Sequence, residues 1–169
     1  MTIHKKTTFS TNQKIILGLL IALIGLSIIV INFNSISKEM DTRNWNPTKA
    51  IIESIKTYRK QGKSGDNTVF YNYHVNIVYS YKVKSSVFRN SNYDLNGHFV
   101  TTNENKNKKY KNKIDNVSDI TIFYNTSNPS ESVINRGLSE GTWVKLTFSF
   151  FLLISGVFVT IVNYRNLSK

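Results

Sequence analysis

The sequence has no cysteine and only two prolines in 169 residues. Without thiols there are no disulfide staples, no thiolate metal sites and no cysteine nucleophile. Compartment stays open, because a domain outside the cytoplasm can do without disulfides. Acid is scarce too: 10 Asp+Glu face 22 Lys+Arg, a formal net charge of +12 at pH 7. Paired carboxylates for acid–base chemistry are correspondingly few, and Asp115 and Asp119 read as groups that solvate a loop. No Gly-x-Ser-x-Gly elbow and no glycine-rich phosphate loop occurs. The histidines are His4, His74 and His98, with Asp94 the nearest acid to His98, and no helical His-Glu-x-x-His motif joins them. The reading is a non-enzymatic chain with no catalytic, cofactor-binding or metal residues.

The mean hydropathy is that of a soluble protein, but it averages over two long apolar runs. Ile15–Ile31 contains one polar side chain, Ser27, and 13 of its 17 residues are Ile, Leu or Val. Extended to Phe33, it makes a helix about 28 Å long, close to the thickness of a bilayer's hydrocarbon layer. Its insertion gains about 4–8 kcal/mol. A cleaved signal peptide would have a shorter core and a small-x-small site after it, and "NFNSISKEM" has none. The second run, Leu146–Val162, is flanked by Trp143 and Tyr164, which suit the two headgroup boundaries. Its Thr and Ser side chains can bond to their own helix.

Short basic tails at both ends favour the cytoplasmic side: Lys5, Lys6 and Lys14 before the first run, Arg165 and Lys169 after the second. The organisation read from the sequence is a cytoplasmic basic tail (1–14), a first span (15–33), an extracytoplasmic β domain (34–140), a second span (143–164) and a cytoplasmic tail (165–169). Gly18, Ala22 and Gly25 share one face of the first span. Gly156 and Thr160 share one face of the second, with Ser149 seven residues earlier. Such faces admit close helix packing, on each other or on another copy, so the oligomeric state stays open.

Between the runs the strongest periodic signal is Val69–Val83, where Tyr71, Tyr73, Val75, Ile77, Tyr79, Tyr81 and Val83 alternate with polar residues, Val78 being the one exception. That is a long strand with one buried face, and it puts His74 on the solvent face. The tyrosine stripe reads as core; its rival use is a platform for stacking a ligand. A turn at "KSS", a returning strand, an Asn96-Gly97 hairpin turn leading to "HFVTT", and a last strand at "DITIFY" complete a small sheet. Upstream, "NPTKAIIESIKTYRK" is ambiguous, because Ile51, Ile55 and Tyr58 have helical spacing after an Asn46-Pro47 start.

Trp45, Pro47, Thr48, Ala50 and Ile52, then Tyr79, Tyr81 and Val83, then Tyr124, Asn125, Asn128 and Pro129 resemble a known pattern. It belongs to the bacterial two-span membrane family catalogued as domain of unknown function 3592, and it covers about residues 45–137. Ser85-Ser86 stands where the family often has glycine, and Thr126 where it has a first loop proline. The resemblance implies a strand over Lys49–Tyr58, a mainly β, sheet- or barrel-like domain between two transmembrane helices, and no activity.

One stretch has electrostatic character. Lys106, Lys108, Lys109, Lys111 and Lys113 surround Tyr110 within eight residues. In a chain with 21 Asn and 17 Lys this reads first as a solvated loop, and beyond that as a contact for an acidic protein or an anionic lipid surface. The positive charge is spread along the whole chain, which argues against nucleic acid. The functional expectation is an integral membrane protein whose β domain binds a protein partner, such as a toxin it neutralises as an immunity protein or an envelope protein. The alternatives are an accessory subunit of a membrane complex, and a small-ligand or enzymatic domain on the tyrosine-lined sheet.

Overall fold

The computed structural model describes residues 9–167, so His4, Lys5, Lys6 and Lys169 lie outside it. The chain divides into two compact units, Met1–Ile36 with Glu140–Lys169, and Ser37–Ser139.

The first unit is two helices, α1 (Thr11–Asp41, whose last turn belongs to the second unit) and α3 (Glu140–Leu167). Both are long and apolar enough to cross a membrane, and only 11% of each apolar window is buried. The core helix of a soluble domain would be mostly covered. Polar side chains within the apolar stretches bond to their own backbone: Ser27 Oγ donates to Leu23 O (2.8 Å) and Thr160 Oγ1 to Gly156 O (2.9 Å). The small residues of both helices lie at one contact. A Cβ on Gly18 would stand 2.6 Å from Thr160 Oγ1 and 2.8 Å from Gly156 O. One on Gly25 would meet Ser149 O at 2.7 Å, and one on Gly156 would strike Ala22 N and stand 2.6 Å from Gly18 O. Backbones this close leave no space for a side chain on either helix.

The second unit is an antiparallel sheet with one helix. A 3₁₀ turn (Thr42–Asn44) leads into β1 (Asn46–Lys63), β2 (Val69–Val83), β3 (Ser86–Asn90), β4 (Phe99–Thr101), α2 (Glu104–Asp115), β5 (Asp119–Tyr124) and β6 (Ser132–Val133). The order is β3-β2-β1-β5-β6, with β4 also paired to β2. Lys49–Tyr58 is therefore strand. Its alternation is interrupted once: a bulge at Glu53 sets two β1 residues against one on β2, with Ile52 opposite Tyr79 and Ser54 opposite Val78. The inward series thus runs Ala50, Ile52, Ile55, Thr57, which breaks strict alternation, while Ile51 and Tyr58, two of the three residues at helical spacing, lie on the other face.

The tyrosine stripe is core over part of its length. Val75, Ile77, Tyr79 and Tyr81 are buried with Ala50, Phe99, Ile114, Ile120 and Ile122. Tyr79 is fully enclosed; its hydroxyl bonds Asn92 O (3.1 Å), Ser132 O (3.2 Å) and Ser132 Oγ (3.1 Å). Tyr81 donates to Pro129 O (2.6 Å). Nearer the β1–β2 tip the stripe opens: Tyr71 is exposed beneath the Arg59 guanidinium, and Tyr73 donates to Glu104 (3.2 Å). In the turn after β2, Lys84 takes the positive φ of 56° that a glycine would otherwise supply. Asn96-Gly97 makes a tight turn closed by an Asp94–Gly97 bridge, but it does not join two strands of a hairpin, because β4 pairs with β2 instead.

The ends of this unit meet at a buried glutamate. Glu39, 3% exposed, accepts from the Ser139 backbone N–H (2.7 Å) and from Asn96 Nδ2 (3.0 Å). Beside it, the Gly137 N–H donates to Thr42 Oγ1 (2.6 Å), whose hydroxyl donates to Glu39 O (2.6 Å).

Leucine at Gly156 is expected to cost about 1–3 kcal/mol by overpacking. Leucine at Gly141, where nothing lies within 4 Å of an added Cβ, should cost far less. Unfolding of the full chain in detergent, followed with a cysteine-pair crosslink between the helices, compares the two.

Candidate lysine–aromatic binding site

The lysine-rich stretch is a helix, which corrects the expected loop. Asn103 caps it, accepting from Lys106 N–H at 3.0 Å, with Glu104 in the first turn and Lys113 in the last. Each of these placements is favourable for a helix terminus. Asn107, Tyr110 and Ile114, at i, i+3 and i+7, turn inward, and Ile114 joins the core. The cap and this spacing were present in the sequence, but a helix with so few apolar side chains gives a weak periodic signal.

The helix sorts its lysines. Lys108 pairs with Glu104 (2.8 Å) and Lys111 with Asp115 (2.6 Å), both one turn apart along the exposed surface. Such exposed pairs contribute little to stability and largely cancel the charge they carry. The first pair holds the Lys108 pKa up through its hydrogen bond with Glu104, and holds Glu104 down. Lys106, Lys109 and Lys113 occupy another side and rim an open pocket of about 370 Å³, whose remaining lining is Tyr93, Phe99 and Tyr110.

The pocket floor is aromatic. Phe99 stacks on Tyr110 with centroids 4.4 Å apart, and Tyr93 meets both edge-on at 5.1 and 5.3 Å. Tyr110's hydroxyl is buried and has no protein partner. Burial pushes its pKa well above the usual phenol range, so it stays a neutral donor. Lysine ammonium groups around an aromatic floor suit an acidic group attached to an apolar or aromatic side chain.

Asp115 and Asp119 are both ion-paired, Asp119 with Lys49 at 2.8 Å, and the Lys49 hydrogen bond holds the Asp119 carboxyl below its usual range. His74 is not on a solvent face. It points away from the core but is only 8% exposed, because Tyr58 stacks on its ring at 4.6 Å and His98 bonds its Nδ1 at 2.8 Å. Among the described residues no three His, Cys, Asp or Glu side chains gather as a metal set. The alternation of β2 could not reveal this cover, since Tyr58 comes from β1 and His98 from the loop before β4.

The sheet and α2 lie in the stretch that matches a known family. The profile described as "Domain of unknown function (DUF3592)" matches residues 48–139. The chain belongs to this family. The match begins within β1 and ends at Ser139, so it takes in the whole pocket. No curated protein matches the chain.

Phenylalanine at two buried tyrosines should separate the core from the site. Tyr79→Phe removes a hydroxyl with several partners and is expected to lose about 1–3 kcal/mol of stability. Tyr110→Phe removes one with none and should change stability by less than about 0.5 kcal/mol. Denaturant unfolding of the full chain in detergent, read from Trp45 fluorescence, provides both values.

Proposed function

We propose that this is a non-enzymatic integral membrane protein of the bacterial inner membrane whose β domain binds an acidic protein partner outside the cytoplasm. The observation that carries the reading is the pocket in which Lys106, Lys109 and Lys113 surround Tyr93, Phe99 and Tyr110. Its charge complements an acidic partner, and its aromatic floor supplies the water-excluded centre from which most binding energy comes. Both termini cytoplasmic and the domain outside is the orientation favoured by the basic tails, and a loop of this length translocates largely regardless of its own charge.

Neutralising an incoming toxin, as an immunity protein does, is one form of this function; holding an envelope protein is another. The Gly18/Ala22/Gly25 face, which an accessory subunit would use to dock on a larger complex, already packs against α3. That favours recognition through the domain over recognition through the spans.

A photo-crosslinking residue at Lys109 in the full chain, expressed in its own host, tests the reading. A discrete crosslinked protein is expected that protease removes in spheroplasts and not in inverted vesicles. It should weaken several-fold in Lys106→Glu/Lys113→Glu and as salt rises from about 0.1 to about 0.5 M, because exposed charges are screened over that range. A crosslink insensitive to both charge reversal and salt, or protected in spheroplasts, would overturn it.

A further inference from the structure

On the face of the sheet opposite α2, three side chains from separate segments converge. His98, at the end of the loop that leads into β4, brings Nε2 to 2.8 Å from His74 Nδ1 and 3.2 Å from Tyr58 Oη. The Tyr58 and His74 rings are stacked, with an interplanar angle of 7°. His74 Nε2 is buried and has no partner.

These contacts favour one proton arrangement. If His98 Nε2 is the acceptor, it receives both the His74 Nδ1–H and the Tyr58 O–H, and His74 Nε2 is left as a bare acceptor. The opposite tautomer would bury a His74 Nε2–H with nothing to receive it, the costlier choice. A proton added to His98 Nε2 sets N–H against N–H. With both rings charged, no lone pair remains between nitrogens that are 2.8 Å apart.

We propose that His74 and His98 form a proton-operated latch that holds β4, and with it the Phe99 floor of the lysine pocket, in place. The coupling is built into the chain. His98 precedes β4, Phe99 is its first residue and lines the pocket, and Val100 pairs with His74 across the sheet. β4 has three residues, held by its ladder with β2 and by Phe99 in the core, and the histidine pair adds a hold on the other face.

The surroundings set the direction. Burial lowers the His74 pKa first, followed by the charges of His98 and of Lys60 on β1. Lys56 shares that face of β1, and the flanking residues of β2 on that face are Asn72 and Asn76. A histidine whose pKa is lowered on folding contributes stability above its ordinary value of 6.5, and that stability is lost as pH falls below it. The latch is therefore closed at neutral pH and released by acid. A metal fits less well: bound at His74 Nδ1, it would force the proton onto the partnerless Nε2, whereas ligating histidines hand that proton to an acceptor, and Lys60 adds repulsion.

The significance of the latch for partner capture rests on the pocket being the partner's site, but the latch is measured without a partner. Hydrogen exchange of residues 91–101 in the full chain in detergent, corrected for intrinsic rates, covers Tyr93 and Phe99 directly. Lowering pH from about 7.5 to about 5.5 should speed exchange about tenfold in the wild type, the size of effect that one pKa unit gives. His74→Asn/His98→Gln, with an amide at both positions, should change less than about twofold. If that variant does not fold, His74→Asn alone, which removes the buried histidine and leaves an amide that can turn to donate or accept, serves in its place with the same expectation. Equal acid responses in wild type and variant would overturn the proposal. So would a flat wild type, or protection that rises with added Zn²⁺ and disappears in the variant.

Discussion

The buried carboxyl of Glu39 is the contact on which the β unit's layout depends. It bonds the Ser139 backbone at the far end of the unit and the Asn96 side chain in the middle, so that three distant parts of the chain share one group. A buried carboxyl is costly unless its lone pairs are used, and here they are. Thr42 and Gly137 repeat the join one step further in. A domain carried on a loop between two apolar helices needs its ends side by side, and this clamp holds them there. Loss of the clamp would free both ends of the sheet at once, since β1 follows Glu39 and β6 precedes Ser139.

From that joint the fold grows along one long antiparallel pair. β1 and β2 run together for most of their length, while β5 covers only Asn46–Ile51 and β3 only Tyr79–Val83. The bulge at Glu53 lies where this cover changes. Before it, Ala50 and Ile52 face the core; after it, the strand must shift register by one residue for Ile55 to do so. Glu53, the extra residue, is spent outside, where it bonds Arg89 on β3 at 2.6 Å.

Much of this could be read from the residues, and the misses share a cause. The two apolar runs, the alternation of β2 and the strand at Asp119–Tyr124 are local patterns, and they needed no knowledge of neighbours. Lys49–Tyr58 did need it: a bulge exists only relative to a partner strand, and resemblance to a family resolved what periodicity left open. The helix α2 was hidden by composition, because its inward face is one tyrosine, one isoleucine and an asparagine. Of the site, the lysines and Tyr110 could be singled out in advance; Tyr93 and Phe99 could not, as they come from a loop and a three-residue strand. Asn96 was legible only as a turn residue and Glu39 not at all, and the clamp they make exists only in three dimensions.

The two faces of the sheet divide the chemistry, and β4 belongs to both. Toward α2 the side chains are aromatic and enclosed, and the charges stand at the rim, where they can meet a partner without being buried alone. On the other face, the titratable groups His74 and His98 sit under partial cover. Adjacent residues of a strand point to opposite faces, so His98 and Phe99 cannot move independently. A strand of three residues, held by one short ladder, the buried Phe99 and one histidine pair, has few backbone bonds to lose, and that is its weakness. Its position between the aromatic floor and the proton-sharing pair makes that weakness a means of control, since the same small displacement opens the pocket on one face and parts the histidines on the other.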